Sequence, residues 1–135
     1  MDIEDLTYRI NGCAMKVHNV LGNGFQEVIY QRCLAIELQK AGIDHKREVE
    51  QEIFYDGIVV GKRRADFVVE GLLTVELKAC VNLDNHHLTQ AKNYVVAYNF
   101  DVGLLINFGA TSLQFKKIYN PKINKYRTGL NQGLK

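Results

Sequence analysis

The segment Val102-Gly103-Leu104-Leu105-Ile106-Asn107-Phe108 is a nearly continuous apolar run. Short runs of this kind mark strands buried on both faces. Such a strand lies inside a sheet, and the chain must supply helices to cover it. With 135 residues, the chain is long enough for one domain with a real core and needs no disulfide or metal staples.

The helices are legible upstream. Residues 3–20 set Ile3, Leu6, Ile10, Ala14, Val17 and Leu21 at helical spacing, and Gly22 and Gly24 stop the helix. A second helix is predicted from about Phe25 to Lys40, with Val28, Ile29, Cys33, Ile36 and Leu38 as its apolar stripe; Gly42 ends it. From His45 to Tyr55 the period changes to two. Val49, Gln51, Ile53 and Tyr55 share one face against Glu48, Glu50 and Glu52 on a wet one. Asp56-Gly57 turns the chain into a return strand from Ile58 to Val69. Glu70-Gly71 turns it again into a third strand, Leu72 to Cys80. Asp84 or Asn85 caps a helix running to about Tyr98. The apolar run follows, and then an edge strand from Leu113 to Tyr119. The first three strands are expected to pair antiparallel, and the fourth to join by a crossover. This is an α/β fold, a mixed β-sheet flanked by helices, in a single domain over residues 1–119. Pro121 opens a loosely ordered tail over residues 120–135.

Composition removes several classes. Charged residues make up 24% of the chain and hydrophobic ones 47%, which is globular and not disordered. No uncharged apolar run reaches the length of a membrane span. The acidic start, Met1-Asp2-Ile3-Glu4-Asp5, does not have the layout of a signal peptide. Cys13, Cys33 and Cys80 are odd in number and widely spaced, so a reducing cytoplasm is the simplest compartment. Neither a dinucleotide-binding glycine fingerprint nor a P-loop occurs. The net charge of +2 is uneven: the tail carries four cations and no acid, leaving residues 1–119 at −2. That is not a chain that coats DNA by bulk charge. Nucleic-acid binding would have to come from local patches such as Lys62-Arg63-Arg64 and Lys116-Lys117, or from the tail, each of which also reads as ordinary solvated surface.

The third strand carries the chemistry. In Leu73-Thr74-Val75-Glu76-Leu77-Lys78-Ala79, period two sends Val75, Leu77 and Ala79 to one face and Glu76 and Lys78 to the other. The strand before it holds Asp66. A three-residue loop, Glu70-Gly71-Leu72, would pair Asp66 with Glu76; a two-residue loop would pair Asp66 with Val75 and send Glu76 to the opposite face. In the first register the two carboxylates repel unless a cation or a proton joins them. A hard divalent ion that keeps several waters suits such a pair, and Lys78 could orient a water or stabilise charge on a phosphate. The ordinary reading of the same residues is an ion pair between Glu76 and Lys78 on an exposed sheet face.

An Asp on one strand and Glu-x-Lys on the next, flanked by helices, resembles the PD-(D/E)XK nuclease superfamily. Gly24-Phe25-Gln26-Glu27-Val28-Ile29-Tyr30 is similar to the GxxExxY signature of a bacterial family within it. Val17 to Gly22, the Gln90/Tyr94 segment and Gly103 to Gly109 also resemble that family, so the likeness runs from about Ile3 to Tyr119. Ala65 stands where many members have proline. The resemblance implies a restriction-endonuclease-like core, with Asp66, Glu76 and Glu27 as metal ligands, Mg²⁺ or Mn²⁺ as the cofactor, and Lys78 as the catalytic lysine. It implies supporting or substrate-binding roles for Gln90, Tyr94, His87, Tyr30 and Arg64. His18 also fits the pattern, with a structural histidine as the alternative. The implied activity is metal-dependent hydrolysis of phosphodiester bonds in DNA. The rival expectation is a catalytically inactive module of the same fold that binds nucleic acid or a protein partner. A homodimer, or a place in a larger defence or repair assembly, is compatible with either.

Overall fold

The computed structural model describes residues 2–123. Eight elements follow in order: α1 (Ile3–Leu21), α2 (Glu27–Lys40), β1 (His45–Tyr55), β2 (Ile58–Val69), β3 (Leu73–Lys78), α3 (Asn85–Ala97), β4 (Val102–Asn107) and β5 (Gln114–Tyr119). The strands form one sheet in chain order. All neighbours are antiparallel except β3 and β4, which run parallel because α3 carries the chain back between them. The expected mixed sheet with one crossover is what the chain builds.

Local chemistry sets the element ends. The Asp2 carboxylate accepts the Glu4 N–H at the start of α1, and Gly22, at φ 69°, closes it with its N–H on the His18 carbonyl. Asp84 caps α3 in a capping box with His87. Asp56 and Gly57 both take positive φ, the geometry of a two-residue hairpin turn.

The helices divide between the two faces of the sheet. Leu6, Ile10 and Ala14 of α1 and Tyr30, Leu34 and Leu38 of α2 pack on Phe67, Val75, Leu77, Leu104, Ile106 and Phe108. On the opposite face, Ala91 and Val95 of α3 meet Leu105 and Ile118. β4 feeds both layers and is buried at every position. At Gly103 the approach of α3 is so close that a Cβ would overlap Thr74 Oγ1 and Val95 Cγ2.

Three details differ from expectation. The buried stripe of α2 is Tyr30, Leu34 and Leu38 with Gln31, whereas Ile36 is 57% exposed and Val28 lies at the surface. Apolar residues surround this helix, so periodicity does not choose a face; the stacking of Tyr30 on Phe108, at 4.7 Å, sets its rotation. The distal end of the β1–β2 hairpin extends past the helices, leaving Tyr55 exposed along with Phe54, Ile58, Val59 and Val60. Asn120, at the start of the expected tail, is buried. Its amide donates to the carbonyls of Val95 and Phe100, and its Oδ1 accepts the Lys122 N–H. The remainder of the expected basic tail, residues 124–135, lies outside the described residues.

Candidate functional site

The register between β2 and β3 decides what the carboxylates do. Glu70 and Gly71 both take positive φ, and the Leu72 N–H reaches the Val69 carbonyl at 2.9 Å. The strands then pair Val69 with Leu73 and Phe67 with Val75. This is the register of the three-residue connection, and it sets Asp66 opposite Glu76. At that point the ladder stops and side chains replace it. The Asp66 N–H donates to Glu76 Oε1 at 3.0 Å, and the Leu77 N–H donates to Asp66 Oδ2 at 2.8 Å. Each carboxylate takes a backbone donor from the other strand, so both are held at fixed positions between the strands.

Burial then acts on the pair. Glu76 is only 7% exposed, and burial, reinforced by the charge of Asp66, pushes its carboxyl up to about 8. The Asp66 N–H and Lys78 oppose that rise without cancelling it. Asp66 is also raised, chiefly by burial, against the Leu77 N–H, the Gln31 amide and Lys78. Glu27, the first residue of α2, is raised by burial and by Asp66, and lowered by Lys78 and His87. The three acids and Lys78 therefore influence one another's charge.

Above the pair stands α3. Glu76, Lys78, His87, Gln90, Ala91, Tyr94 and Leu105 line a cavity of about 100 Å³. His87, Gln90 and Tyr94 occupy one edge of the helix and face the Glu-x-Lys segment. His87 does double duty, since its Nδ1 lies 3.2 Å from the Asp84 N–H in the helix cap. Burial and the nearby Glu76 raise the Tyr94 hydroxyl.

Three candidates are placed elsewhere. Tyr30 is fully buried; its hydroxyl donates to the Gly22 carbonyl at 2.6 Å and accepts the Phe25 N–H. It fixes the turn that delivers Glu27, but it does not line the cavity. Arg64 turns to Glu48, 3.7 Å away at the surface. Its neighbour Arg63 lies over the Tyr94 ring, 5.1 Å from the centroid, and is the cation beside the cavity. His18 is structural: its Nε2 meets the Ala110 carbonyl at 3.0 Å.

Sequence reasoning missed Gln31. It is 5% exposed and donates its amide to Asp66 Oδ1 at 2.9 Å, while its own Oε1 is buried without a partner. Its place one helical turn after Glu27 was the available signal. Two anchors were missed as well. Tyr98 donates to the Val49 carbonyl and accepts the Ala65 N–H at 3.3 Å, tying α3 to the strand next to Asp66. Asn107, fully buried, bonds both the N–H and the carbonyl of Cys80 and so fixes the chain just past Lys78.

Among the described residues, no three His, Cys, Asp or Glu side chains gather closely enough to cage a metal ion. A buried and a half-buried carboxylate whose repulsion is relieved by a cation still suit an ion that binds through one or two carboxylates and keeps its waters. An all-oxygen donor set of this kind suits a hard divalent ion. No helix among the described residues is long and apolar enough to cross a membrane.

Comparison with known proteins bears on the family and the fold. The sequence profile of the PD-(D/E)XK nuclease superfamily matches residues 4–118. No curated protein matches the chain. Among solved structures, the crystal structure of SSO0001 is similar in fold, with a TM-score of 0.58 and 23% sequence identity. The match covers 70% of this chain but half of that one.

Proposed function

The chain belongs to the PD-(D/E)XK nuclease superfamily, and on that premise we propose that it is a metal-dependent nuclease that hydrolyses phosphodiester bonds in DNA. The observation that carries the reading is the Asp66–Glu76 pair. Glu76 is buried and Asp66 half-buried, each is fixed by a backbone N–H of the opposite strand, and Lys78 is next on the same face. Asp66 and Glu76 would hold a Mg²⁺ or Mn²⁺ ion, with Glu27 at its edge. When bound, such an ion polarises a phosphate oxygen and lowers the pKa of a water.

The chain's own groups do the rest. The backbone donors and Gln31 keep both carboxylates aimed before any ligand arrives, which limits reorganisation during reaction. Lys78 supplies a positive charge where the phosphorus centre gains negative charge. Gln90 and Tyr94 border the same cavity and can donate to nonbridging phosphate oxygens. Asn107 and Tyr98 hold the strand ends so that these distances persist.

One observation favours a second reading, a non-catalytic module that binds nucleic acid or protein. The carboxylates already accept protein donors, and Glu76 readily keeps a proton, so the pair is stable with no cation. Titration of Mg²⁺ and Mn²⁺ into wild type and Glu76→Ala by calorimetry, alongside cleavage of labelled DNA, separates the two. The nuclease reading expects saturable binding lost in the variant and cleavage abolished by Lys78→Met. Intact DNA and RNA of every form with either metal would leave the module.

A further inference from the structure

A second groove opens beside the cavity. It has a volume of about 440 Å³ and lies between the projecting part of the β1–β2 hairpin and the outer side of α3. Ile53, Phe54 and Val96 give it an apolar wall; Gln51, Glu52, Asn93 and Arg63 give it polar groups. Phe54 is 57% exposed, an aromatic ring with open surface at the groove. No residue of the groove belongs to the carboxylate site, yet the two are joined. Arg63 lines the groove and lies over the Tyr94 ring, and Tyr94 lines the cavity with Glu76 and Lys78.

From this continuity we propose that the groove is a binding site for one unpaired base of a DNA strand, next to the phosphate that enters the cavity. The inference rests on the nuclease-site reading above and adds to it the form of the substrate. An apolar wall with an aromatic ring accepts the face of a base, whatever its identity. The Gln51 and Asn93 amides each offer a donor and an acceptor, which suits the edge of a base. With its plane over Tyr94, the Arg63 guanidinium keeps N–H groups for the phosphate between groove and cavity. In a duplex that edge is covered by the opposite base, and the faces of the ring by its stacked neighbours. The site therefore selects single strands, flaps or frayed ends.

The test uses fluorescence anisotropy with a labelled 12-nucleotide DNA, single-stranded and as a duplex of the same sequence, in Ca²⁺ buffer. Wild type is expected to bind the single strand more tightly. Phe54→Ala, which removes the ring, and Asn93→Trp, which fills the groove from an exposed helix position, are each expected to weaken single-strand binding by about 5-fold or more. Duplex binding should change little, and thermal melts should stay at the wild-type value. Equal affinity for both forms overturns the proposal. So does wild-type binding by both variants. Tighter binding of the matching RNA, with the same dependence on Phe54, overturns the assignment to DNA. Because the readout is binding, a protein that binds the single strand through Phe54 but never cuts would refute the nuclease reading and leave the groove in place. Cleavage with no effect of either variant would do the reverse.

Discussion

The two faces of the sheet are built from the same strands and do different work. Beneath it, α1 and α2 press Leu6, Ile10, Tyr30 and Leu34 against Phe67, Val75, Leu77, Ile106 and Phe108 in a continuous apolar layer. Above it, α3 contributes Ala91, Val95 and the half-buried Leu88 to a small cluster with Leu105 and Ile118. The rest of that interface holds Glu76, Lys78, Gln90 and Tyr94. β3 supplies both faces through its period of two, with Val75 and Leu77 down and Glu76 and Lys78 up. Stability is concentrated on one side, which lets the other side keep a desolvated acid pair that stability alone would not select.

Substitutions should therefore separate cleanly by face. The largest effect belongs above the sheet. Glu76→Gln keeps the shape and removes the charge; cleavage is expected to fall by about 10³-fold, measured under single-turnover conditions with Mg²⁺. The metal-free melting temperature should hold near neutral pH, because the amide, like the protonated carboxyl it replaces, carries no charge. Below the sheet the pattern reverses. Leu34→Ala empties a fully buried site and should cost about 2–5 kcal/mol by urea denaturation. Its cleavage per folded molecule should stay near wild type. A Leu34→Ala protein of full stability, or a Glu76→Gln protein that cuts normally, breaks the division.

Gln31 tests the boundary, because it sits on the lower helix and touches the upper site. Gln31→Leu is expected to lower cleavage or metal affinity by about 10–100-fold, the range seen when a group that orients a ligand is lost. Its effect on stability should be small, since the amide also carries a buried, unpartnered Oε1. Loss of stability with unchanged chemistry would make Gln31 part of the core instead. Acidity sharpens the same contrast. Glu76 holds a proton up to about 8 when folded but only to its ordinary 4.5 when unfolded. Between those values the folded state binds more protons, so stability is lost as pH rises through the window. Metal-free denaturation from pH 5 to 8 should show a fall of up to about 1.4 kcal/mol per pH unit from this group. Glu76→Gln should flatten that slope, and Leu34→Ala should only shift it downward.

Much of this division was readable in the chain. Period two in Leu73 to Lys78 assigned each residue its face, and the run from Val102 to Phe108 required helices on both sides. The register could not be read, because two loop lengths were both possible; only the observed pairing of Val69 with Leu73 decides between them. The rotation of α2 was hidden for a different reason. Apolar residues occur on all its sides, so only the tertiary contact of Tyr30 with Phe108 distinguishes the buried stripe. Tyr30 itself shows the limit of motif reasoning: a residue singled out by a motif has its ring in the core. Tyr98 and Asn107 were invisible as anchors because their partners are backbone groups far along the chain.

The smallest expected effect concerns two adjacent arginines. Side chains of neighbouring strand residues leave on opposite sides, and Arg63 and Arg64 take different partners. Arg64 meets Glu48 at 3.7 Å in the open, and exposed pairs of this kind contribute about 0–1 kcal/mol. Arg64→Ala should leave melting temperature and cleavage almost unchanged. Arg63 instead covers Tyr94, whose ring borders the cavity. Arg63→Ala should weaken nucleic-acid binding several-fold and lower its salt dependence, since one phosphate-facing cation is lost. Anisotropy titrations of both variants at two salt concentrations make the comparison direct. Should Arg64→Ala prove the more damaging, the strand enters from the opposite side of the hairpin, and the face beneath α3 loses its claim to the substrate.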